Sequence, residues 1–538
     1  MATESKRGWF VNILHLHIPF VIDSDTMARE WLFQATAESY IPLLNIMSRL
    51  IANGKSPKLT LGITPPLAEQ LASDHFREAF TDYLHERMES ALHDALFFRN
   101  TNIEISYLAR RWEDYYWSIL YAYEKFFNRD ILGVLRRWQD EGHIELIASA
   151  ATHAFMPLLS RPSSIRAQVS TGVETYERHF GRRPAGFWLP ECAYRPGLEN
   201  YLDEQGIRYF IVDSRQLNGG NGNGGRSVFR PHQLKTSSGR DMFVLSRHFD
   251  ICSQVWDHSF GYPGDPNYLD FHKTHLPSKL RYWRVTSREI DMSKKEIYRM
   301  ESAFYDRKEE HARHYVEKIS GILENNHRFV GRPEGLIAAF DGELFGHWWF
   351  EGVEWLHSVI EKIHNSPGVG MATASEMIER VPADPDVHLI ESSWSDLGAH
   401  ENWLRGEARE SWNVIHAAEQ NMENLASAYC NLPDKELARE ILCQAAREML
   451  LLQSSDWIFM LTTGNTPNIA RDQIRRHSEY FTQLGELAEK YCRNGDVSPG
   501  MWSVLQRCSM ENWIFPKLSM DYWCAPKPST PDQKPSEA

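Results

Sequence analysis

The amino-acid sequence predicts an α/β protein in which a parallel barrel of strands and helices precedes a C-terminal helical domain. Short apolar runs of strand length recur as far as residue 404, and most are separated by segments of helical periodicity. These runs end in polar or charged residues, which is where parallel barrels carry their chemistry. Beyond residue 404 the strand pattern stops, and long helical patterns replace it.

Six runs are predicted to be barrel strands: 10–17, 58–64, 144–149, 186–191, 209–213 and 335–341. A helical pattern over residues 27–51 lies between the first two runs. The C-terminal ends of parallel strands meet at one mouth of a barrel. We therefore expect the polar residues at or just beyond the strand ends to lie near one another: His15, His17, His153, Glu191, Asp213 and Asp341.

We expect a catalytic barrel domain with inserted loops and helices over residues 1–404 and a helical domain over residues 405–525. The helical pattern is clear over residues 435–453. Residues 526–538 are rich in Pro, Ser and Lys and are predicted to be disordered. Residues 218–225, NGGNGNGG, have no side chains that could form a core and predict a flexible loop.

Composition narrows the class of partner and the compartment. The net charge of −14 disfavours nucleic acid and anionic membranes as partners, and is compatible with a neutral substrate. The seven cysteines include no C-x-x-C pair and predict buried thiols in a reducing compartment. The N-terminus does not resemble a secretion signal, and no apolar stretch is long enough to span a membrane. We therefore expect a cytoplasmic protein; the sequence does not indicate its oligomeric state.

Two carboxylates follow apolar strands in surroundings that suit catalysis. Glu191 follows Gly186-Phe187-Trp188-Leu189-Pro190, and Asp341 begins a segment with two further acids, a histidine and several aromatic residues. A single Glu at a strand end is more often structural than catalytic. A partly desolvated carboxylate paired with a second one is, however, what glycoside hydrolysis requires.

Histidines and tryptophans provide candidate substrate contacts. His15 and His17 share one face of a strand, and three interpretations remain open: hydrogen-bonded structural residues, sugar-hydroxyl recognition, or metal ligation together with His153. Aromatic rings stack on sugar faces, although many simply pack in the core. The remaining candidates for substrate binding are His347, Trp256, Trp394, Trp403 and Trp412.

Five stretches, in order, resemble the motifs of glycoside hydrolase family 57, in particular its glucan branching enzymes and related amylases. They are residues 15–20 (HLHIPF), 149–159 (SAATHAFMPLL), 186–194 (GFWLPECAY), 340–352 (FDGELFGHWWFEG) and 392–404 (SSWSDLGAHENWL). The resemblance implies an incomplete (β/α)7 barrel with small insertions and a helical C-terminal domain. It also implies a retaining mechanism on α-1,4-glucan without a metal or another cofactor, with Glu191 as nucleophile and Asp341 as acid/base.

The leading hypothesis from this resemblance is a glucan branching enzyme with α-1,4-glucan as donor and acceptor. A mainly hydrolytic α-amylase is the alternative, favoured by the short loop 218–225 and by the lack of tyrosine between Tyr209 and Tyr262. A metal-dependent hydrolase similar to polysaccharide deacetylases, using the three histidines, is a weaker alternative. A non-catalytic glucan-binding protein is disfavoured by the presence of both carboxylates.

Overall fold

The computed structural model describes residues 6–23, 26–217, 227–257, 259–395, 400–429, 436–495 and 497–524. The loop 218–225 and the tail 526–538 lie outside the described residues. The chain divides into two compact units, one of residues 1–157 and 172–402, the other of residues 158–171 and 403–538. The predicted boundary at residue 404 stays a prediction, and no pattern in the sequence sets residues 158–171 apart from the barrel.

The first unit is built on one sheet. Its strands are β1 (Gly8–Leu16), β2 (Thr60–Ile63), β3 (Glu145–Ser149), β4 (Gly186–Trp188), β5 (Tyr209–Asp213), β6 (His232–Lys235), β7 (Asp241–Arg247), β8 (Glu334–Asp341) and β9 (Val369–Met371). Their order is β6-β7-β5-β4-β3-β2-β1-β8, and β9 pairs with β1. All pairings are parallel except that of β6 with β7. Each of the six predicted runs contains a strand.

The sheet curls into an incomplete barrel. The backbone N–H of His248, just after β7, donates to the carbonyl of Ile337 in β8 at 2.8 Å. The buried thiol of Cys252 contacts the backbone N and O of Ala339 at 3.5 Å and 3.7 Å. Among the described residues, β7 and β8 form no ladder, so these contacts bridge a gap between them. Seven successive parallel strands, from β7 to β8, confirm the expected fold class.

Helices cover the sheet and form the second unit. They are α1 (Thr26–Ala35), α2 (Ile41–Ala52), α3 (Pro65–Ala72), α4 (Asp74–Phe98), α5 (Ile103–Tyr121), α6 (Ile131–Asp140), α7 (Pro162–Phe180), α8 (Leu198–Glu204), α9 (Phe249–Trp256), α10 (Lys308–Val330), α11 (Gly352–His364), α12 (Ala374–Arg380), α13 (Glu407–Tyr429), α14 (Glu436–Leu452), α15 (Ser455–Thr463), α16 (Pro467–Asn494) and α17 (Pro499–Glu511). The helical pattern at 27–51 corresponds to α1 and α2, which are joined by a single π-helical turn, Thr36–Tyr40.

The second unit is held by an apolar core and by buried polar pairs. Ile441, Leu442 and Leu450 of α14 are fully buried, as the periodicity predicts. Residues 158–171 belong to this unit because their side chains bond its helices. The Gln168 amide, for example, donates to Gln453 Oε1 at 2.9 Å. Such long-range hydrogen bonds leave no periodic trace in the sequence.

The cysteines differ in part from the expectation. Cys192, Cys252 and Cys508 are buried free thiols, but Cys443 and Cys492 are partly exposed. Cys524 is disulfide-bonded, so the expectation that all the cysteines are buried thiols is wrong. Within the described ranges, every helix is too short or too polar to cross a membrane.

Candidate active site

Three histidines stack at the C-terminal ends of β1 and β3, and we call them the histidine cluster: His15, His17 and His153. The rings of His17 and His153 stack with centroids 4.0 Å apart, and His15 Nε2 lies 2.9 Å from His153 Nε2. Trp188 at the end of β4 also stacks on His15, with ring centroids 4.7 Å apart and an angle of 11° between the ring planes. Burial, followed by the charges of His153 and His17, holds the pKa of His15 well below its usual range. His15 is therefore neutral at physiological pH.

Hydrogen bonds use one ring nitrogen of each histidine in the cluster. The bond between the two Nε2 atoms uses one nitrogen of His15 and one of His153. His17 shares its Nδ1 with the hydroxyl of Thr64 at 3.0 Å. Hydrogen-bonded rings at the mouth of a barrel can present fixed polar edges to sugar hydroxyls. Recognition of sugar by the cluster stays a prediction.

Glu191 occupies an unusual turn directly after β4. Its backbone is left-handed, with φ 61° and ψ 18°, and Cys192 also has a positive φ of 47°. Residues other than glycine adopt this conformation rarely, and often at functional sites. The indole N–H of Trp394 donates to Glu191 Oε2 at 2.7 Å, and the backbone N–H of Trp394 donates to the Glu191 carbonyl at 3.1 Å. Trp394 therefore fixes both the backbone and the carboxylate of Glu191.

A buried aspartate and two arginines form an ionic cluster that contacts Trp394. Asp213, which is 0% exposed at the end of β5, binds Arg215 and Arg247, each at 2.8 Å. The Arg247 guanidinium lies over the Trp394 ring at 4.8 Å, and Arg215 donates to the Trp394 carbonyl at 2.6 Å. Burial raises the pKa of Asp213, but Arg247 and then Arg215 lower it more, so the net shift is downward. Asp213 thus orients two cations that position Trp394.

Asp341 ends β8 and lies opposite His15 in the parallel ladder with β1. A single 3₁₀ turn, Gly342–Leu344, follows it, and the Asp341 side chain does not cap this turn. Glu343 of the turn is 3% exposed and accepts from the backbone N–H of His17 at 2.9 Å and from the Tyr40 hydroxyl. Glu343 thereby links the turn after Asp341 to His17, the residue that follows β1.

The charges of the two predicted catalytic carboxylates both affect the pKa of one buried thiol, that of Cys192. Burial raises the pKa of Cys192, Arg247 opposes this, and the charges of Asp213, Glu191 and Asp341 raise the pKa further. Glu191 follows β4 and Asp341 ends β8, and both strands belong to the same curled parallel sheet. The strand ends therefore bring Glu191 and Asp341 to one region, as a two-carboxylate mechanism requires. Their catalytic roles stay predictions.

The other predicted substrate contacts differ in exposure. Trp256 is 47% exposed and faces Trp348, itself 39% exposed, edge to face at 6.0 Å, so both can offer ring surface to a ligand. His347 is buried and shares its Nδ1 with Glu38 at 3.0 Å, while its carbonyl accepts from Arg281. This network favours a structural role for His347 over a sugar contact.

Trp403 and Trp412, in the second unit, are each 2% exposed. The Trp412 indole donates to the Trp403 carbonyl at 3.0 Å, and Trp403 packs against Phe459. These contacts within the second unit favour packing over stacking on sugar. Substrate binding by either residue stays a prediction.

Sequence reasoning missed residues that support the site. Trp188 stacks on His15, and Tyr40 bonds Glu343 in the turn after Asp341, but no role was predicted for these three. Asp213 was expected at the mouth of the barrel, because it is a charged residue at the end of an apolar strand, but its role in positioning Trp394 was not predicted. No comparable signal connects Tyr40 with Glu343, which are 303 residues apart.

The curled sheet and the acidic site at its strand ends define a class of protein, and comparison with known families identifies it. Residues 11–388 match the model of glycosyl hydrolase family 57, and residues 414–523 match the C-terminal domain of 1,4-alpha-glucan branching enzymes. The chain therefore belongs to glycosyl hydrolase family 57.

Its relatives include enzymes with two named activities. A 1,4-alpha-glucan branching enzyme of Thermococcus kodakarensis is 36% identical over 93% of this chain and 76% of its own length. The crystal structure of that enzyme superposes with a TM-score of 0.89, covering 97% of both chains at 35% identity. The alpha-amylase AmyC of Thermotoga maritima superposes with a TM-score of 0.83 at 30% identity, covering 96% of this chain and 99% of the amylase.

Proposed function

We propose that this protein is a retaining 1,4-α-glucan branching enzyme with α-1,4-glucan as donor and acceptor. The observation that carries the proposal is similarity to a branching enzyme through the whole chain, including the domain at 414–523 named for that activity. The carboxylates Glu191 and Asp341 at the strand ends fit a double displacement.

In the first half of the reaction, Glu191 attacks the anomeric carbon of an α-1,4-linked glucose. Asp341 donates its proton to the glycosidic oxygen as that bond breaks. The products are a covalent β-glucosyl ester on Glu191 and a shortened glucan chain. The indole N–H of Trp394 holds Glu191 Oε2 in place, which keeps the carboxylate oriented for attack.

In the second half, the acceptor decides the product. The Asp341 carboxylate takes the proton from the 6-hydroxyl of another glucan chain, whose oxygen attacks the anomeric carbon and displaces Glu191. The new linkage is α-1,6, because two inversions retain the configuration. Water in place of the sugar hydroxyl gives hydrolysis. The exposed pair Trp256 and Trp348 offers a surface on which an acceptor chain can stack.

A hydrolytic α-amylase is the second candidate, because AmyC is similar over nearly the whole chain. The short loop 218–225, which motivated this alternative, lies outside the described residues. It has no aromatic side chain that could shield the glucosyl ester from water. We therefore expect branching to be accompanied by a large hydrolytic fraction.

Incubation of the protein with amylose tests the proposal. New α-1,6 linkages are counted as short chains released by a debranching enzyme, and hydrolysis is counted as new reducing ends before debranching. We expect both, and we expect a longer loop bearing a tyrosine at position 221 to increase the branched share. Reducing ends without detectable α-1,6 linkages would replace the branching proposal with the amylase.

We also propose a cytoplasmic location, as the composition indicates. The bonded Cys524 argues in the other direction, since disulfides are rare in reducing compartments. Cell fractionation with an antibody to the protein tests the location, and recovery outside the cytoplasm would contradict it.

A further inference from the structure

The π-helical turn between α1 and α2 forms hydrogen bonds with the segment that follows Asp341. Three successive residues of the turn each hold one residue of that segment: Glu38 bonds His347, Ser39 donates to the Gly342 carbonyl at 3.0 Å, and Tyr40 donates to Glu343. The backbones also touch, because a Cβ on Gly346 would lie 1.8 Å from the Glu38 carbonyl oxygen. Single π-helical turns often occur at functional sites.

Glu343 is the point at which three elements meet. One carboxylate oxygen, Oε1, accepts from Tyr40 of the π-helical turn and from the backbone N–H of His17 after β1. Glu343 itself lies two residues after the last residue of β8. Buried polar groups with two partners fix geometry tightly, since moving them leaves donors unsatisfied.

Contacts from other elements hold the turn that follows Asp341. The Asp341 side chain does not cap this turn. Backbone bonds from Phe345, Trp348 and Trp349 hold the turn from its C-terminal side, and Ser39 and the Glu343 carboxylate link it to other elements. Together with the pairing of Asp341 and His15 between β8 and β1, these contacts set the direction of the chain after Asp341.

We propose that Glu343 is a positioning residue for Asp341. It holds the proposed acid/base close to the C-terminal end of β1, next to His15 and His17. The inference rests on the proposed function, in which Asp341 protonates the leaving oxygen. Burial raises the pKa of Glu343 to about 7, although its bonds from Tyr40 and from His17 N oppose the rise. The groups that face it are Tyr40, His17 and, beyond Tyr40, Asp341.

This role predicts a defect limited to steps that need proton transfer. A displaced Asp341 slows cleavage of a glucan, whose leaving alkoxide must be protonated. It does not slow the first step on α-maltotriosyl fluoride, because fluoride leaves without help from an acid. A general loss of structure would instead reduce kcat/KM for both donors alike.

The experiment compares kcat/KM for amylose and for α-maltotriosyl fluoride, measured as total donor cleaved whether the acceptor is sugar or water. Glu343→Ala should lower kcat/KM for amylose about 100-fold, the effect of a misplacement near 1 Å, and that for the fluoride less than about threefold. Glu343→Gln keeps an oxygen that can accept both bonds and should recover most of the loss. Tyr40→Phe removes one bond without a large cavity and should show the same selectivity at about a tenfold loss on amylose.

Glu351 provides the matched control. It is 0% exposed, and its Oε1 accepts from the Tyr298 hydroxyl at 2.6 Å and from the backbone N–H of Leu269 at 3.0 Å. Glu351→Ala should therefore lower the melting temperature like Glu343→Ala, but change the two donors by one common factor.

The inference would be overturned if Glu343→Ala or Tyr40→Phe lowered kcat/KM for amylose and for the fluoride by the same factor. Wild-type activity in either variant would also overturn it. If Glu343→Ala does not fold, Tyr40→Phe decides the question. The branched fraction, measured on the same samples, tests the proposed function separately, because the donor comparison does not depend on the acceptor.

Discussion

Trp394→Phe isolates the hydrogen bond to the proposed nucleophile. The substitution removes the indole N–H that lies 2.7 Å from Glu191 Oε2 and keeps an aromatic ring against Trp188, which it meets at 5.4 Å. The backbone bond from residue 394 to the Glu191 carbonyl is also kept. The change therefore acts mainly on the orientation of one carboxylate, and the smaller ring also loses part of its contact with Arg247.

The expected magnitude follows from the type of bond. A hydrogen bond to a charged group contributes about 1.5–3 kcal/mol. Since about 1.4 kcal/mol corresponds to a tenfold change in rate, the loss of kcat/KM on amylose should be about 10-fold to 150-fold. The measurement is initial-rate kinetics on amylose, with circular dichroism to show that the variant is folded.

Trp355→Phe is the matched control. The Trp355 indole is fully buried, and its N–H has no hydrogen-bond partner among the described residues. The same chemical change should therefore leave kcat/KM within about threefold of wild type, while lowering the melting temperature through lost packing. A Trp394→Phe enzyme as active as the Trp355→Phe enzyme would refute the proposed support of Glu191.

Three further outcomes are expected. Glu191→Gln and Asp341→Asn should each lower kcat by about a thousandfold or more. With added azide, Glu191→Gln should form a β-glucosyl azide and Asp341→Asn an α-glucosyl azide. The opposite pair of products would exchange the roles of the two residues. Asp213→Asn should destabilise the fold by about 3–5 kcal/mol at pH 7, because Arg215 and Arg247 lose their buried partner. Since the folded-state pKa of Asp213 is lowered, its stabilisation is complete above about pH 4 and lost as the pH falls through the lowered value. The difference in melting temperature between wild type and Asp213→Asn should thus be large at pH 7 and smaller at pH 3. Equal melting temperatures at pH 7 would contradict the pairing. Dialysis against a chelator should leave activity unchanged, whereas loss followed by recovery with zinc would favour the metal-dependent alternative.

The sequence predicted the strands that are long or strongly apolar. It did not predict β6, β7 or β9. β9 has only three residues, and β7 begins with an exposed Asp241, so neither gives a clean apolar run. The π-helical turn within 27–51 was also invisible, because one widened turn hardly changes helical periodicity.

For the site, the sequence could nominate residues but not their surroundings. Glu191 and Asp341 follow apolar strands, and that local pattern is readable. Exposure is not, since Trp256 is 47% exposed and Trp412 only 2%, although both were plausible sugar platforms. Tertiary packing decides such cases, and packing partners are distant in sequence.

The bond between Trp394 and Glu191 has a consequence for how the enzyme is made. Its two residues are 203 positions apart. At about 5–20 residues per second, a ribosome adds the tryptophan some 10–40 seconds after the glutamate. Asp341 also emerges late. A nascent chain therefore carries the proposed nucleophile for many seconds with neither the proposed proton donor nor the indole that orients it. Prematurely terminated fragments should accordingly be unable to cleave glucan, and activity should begin only when synthesis is well advanced.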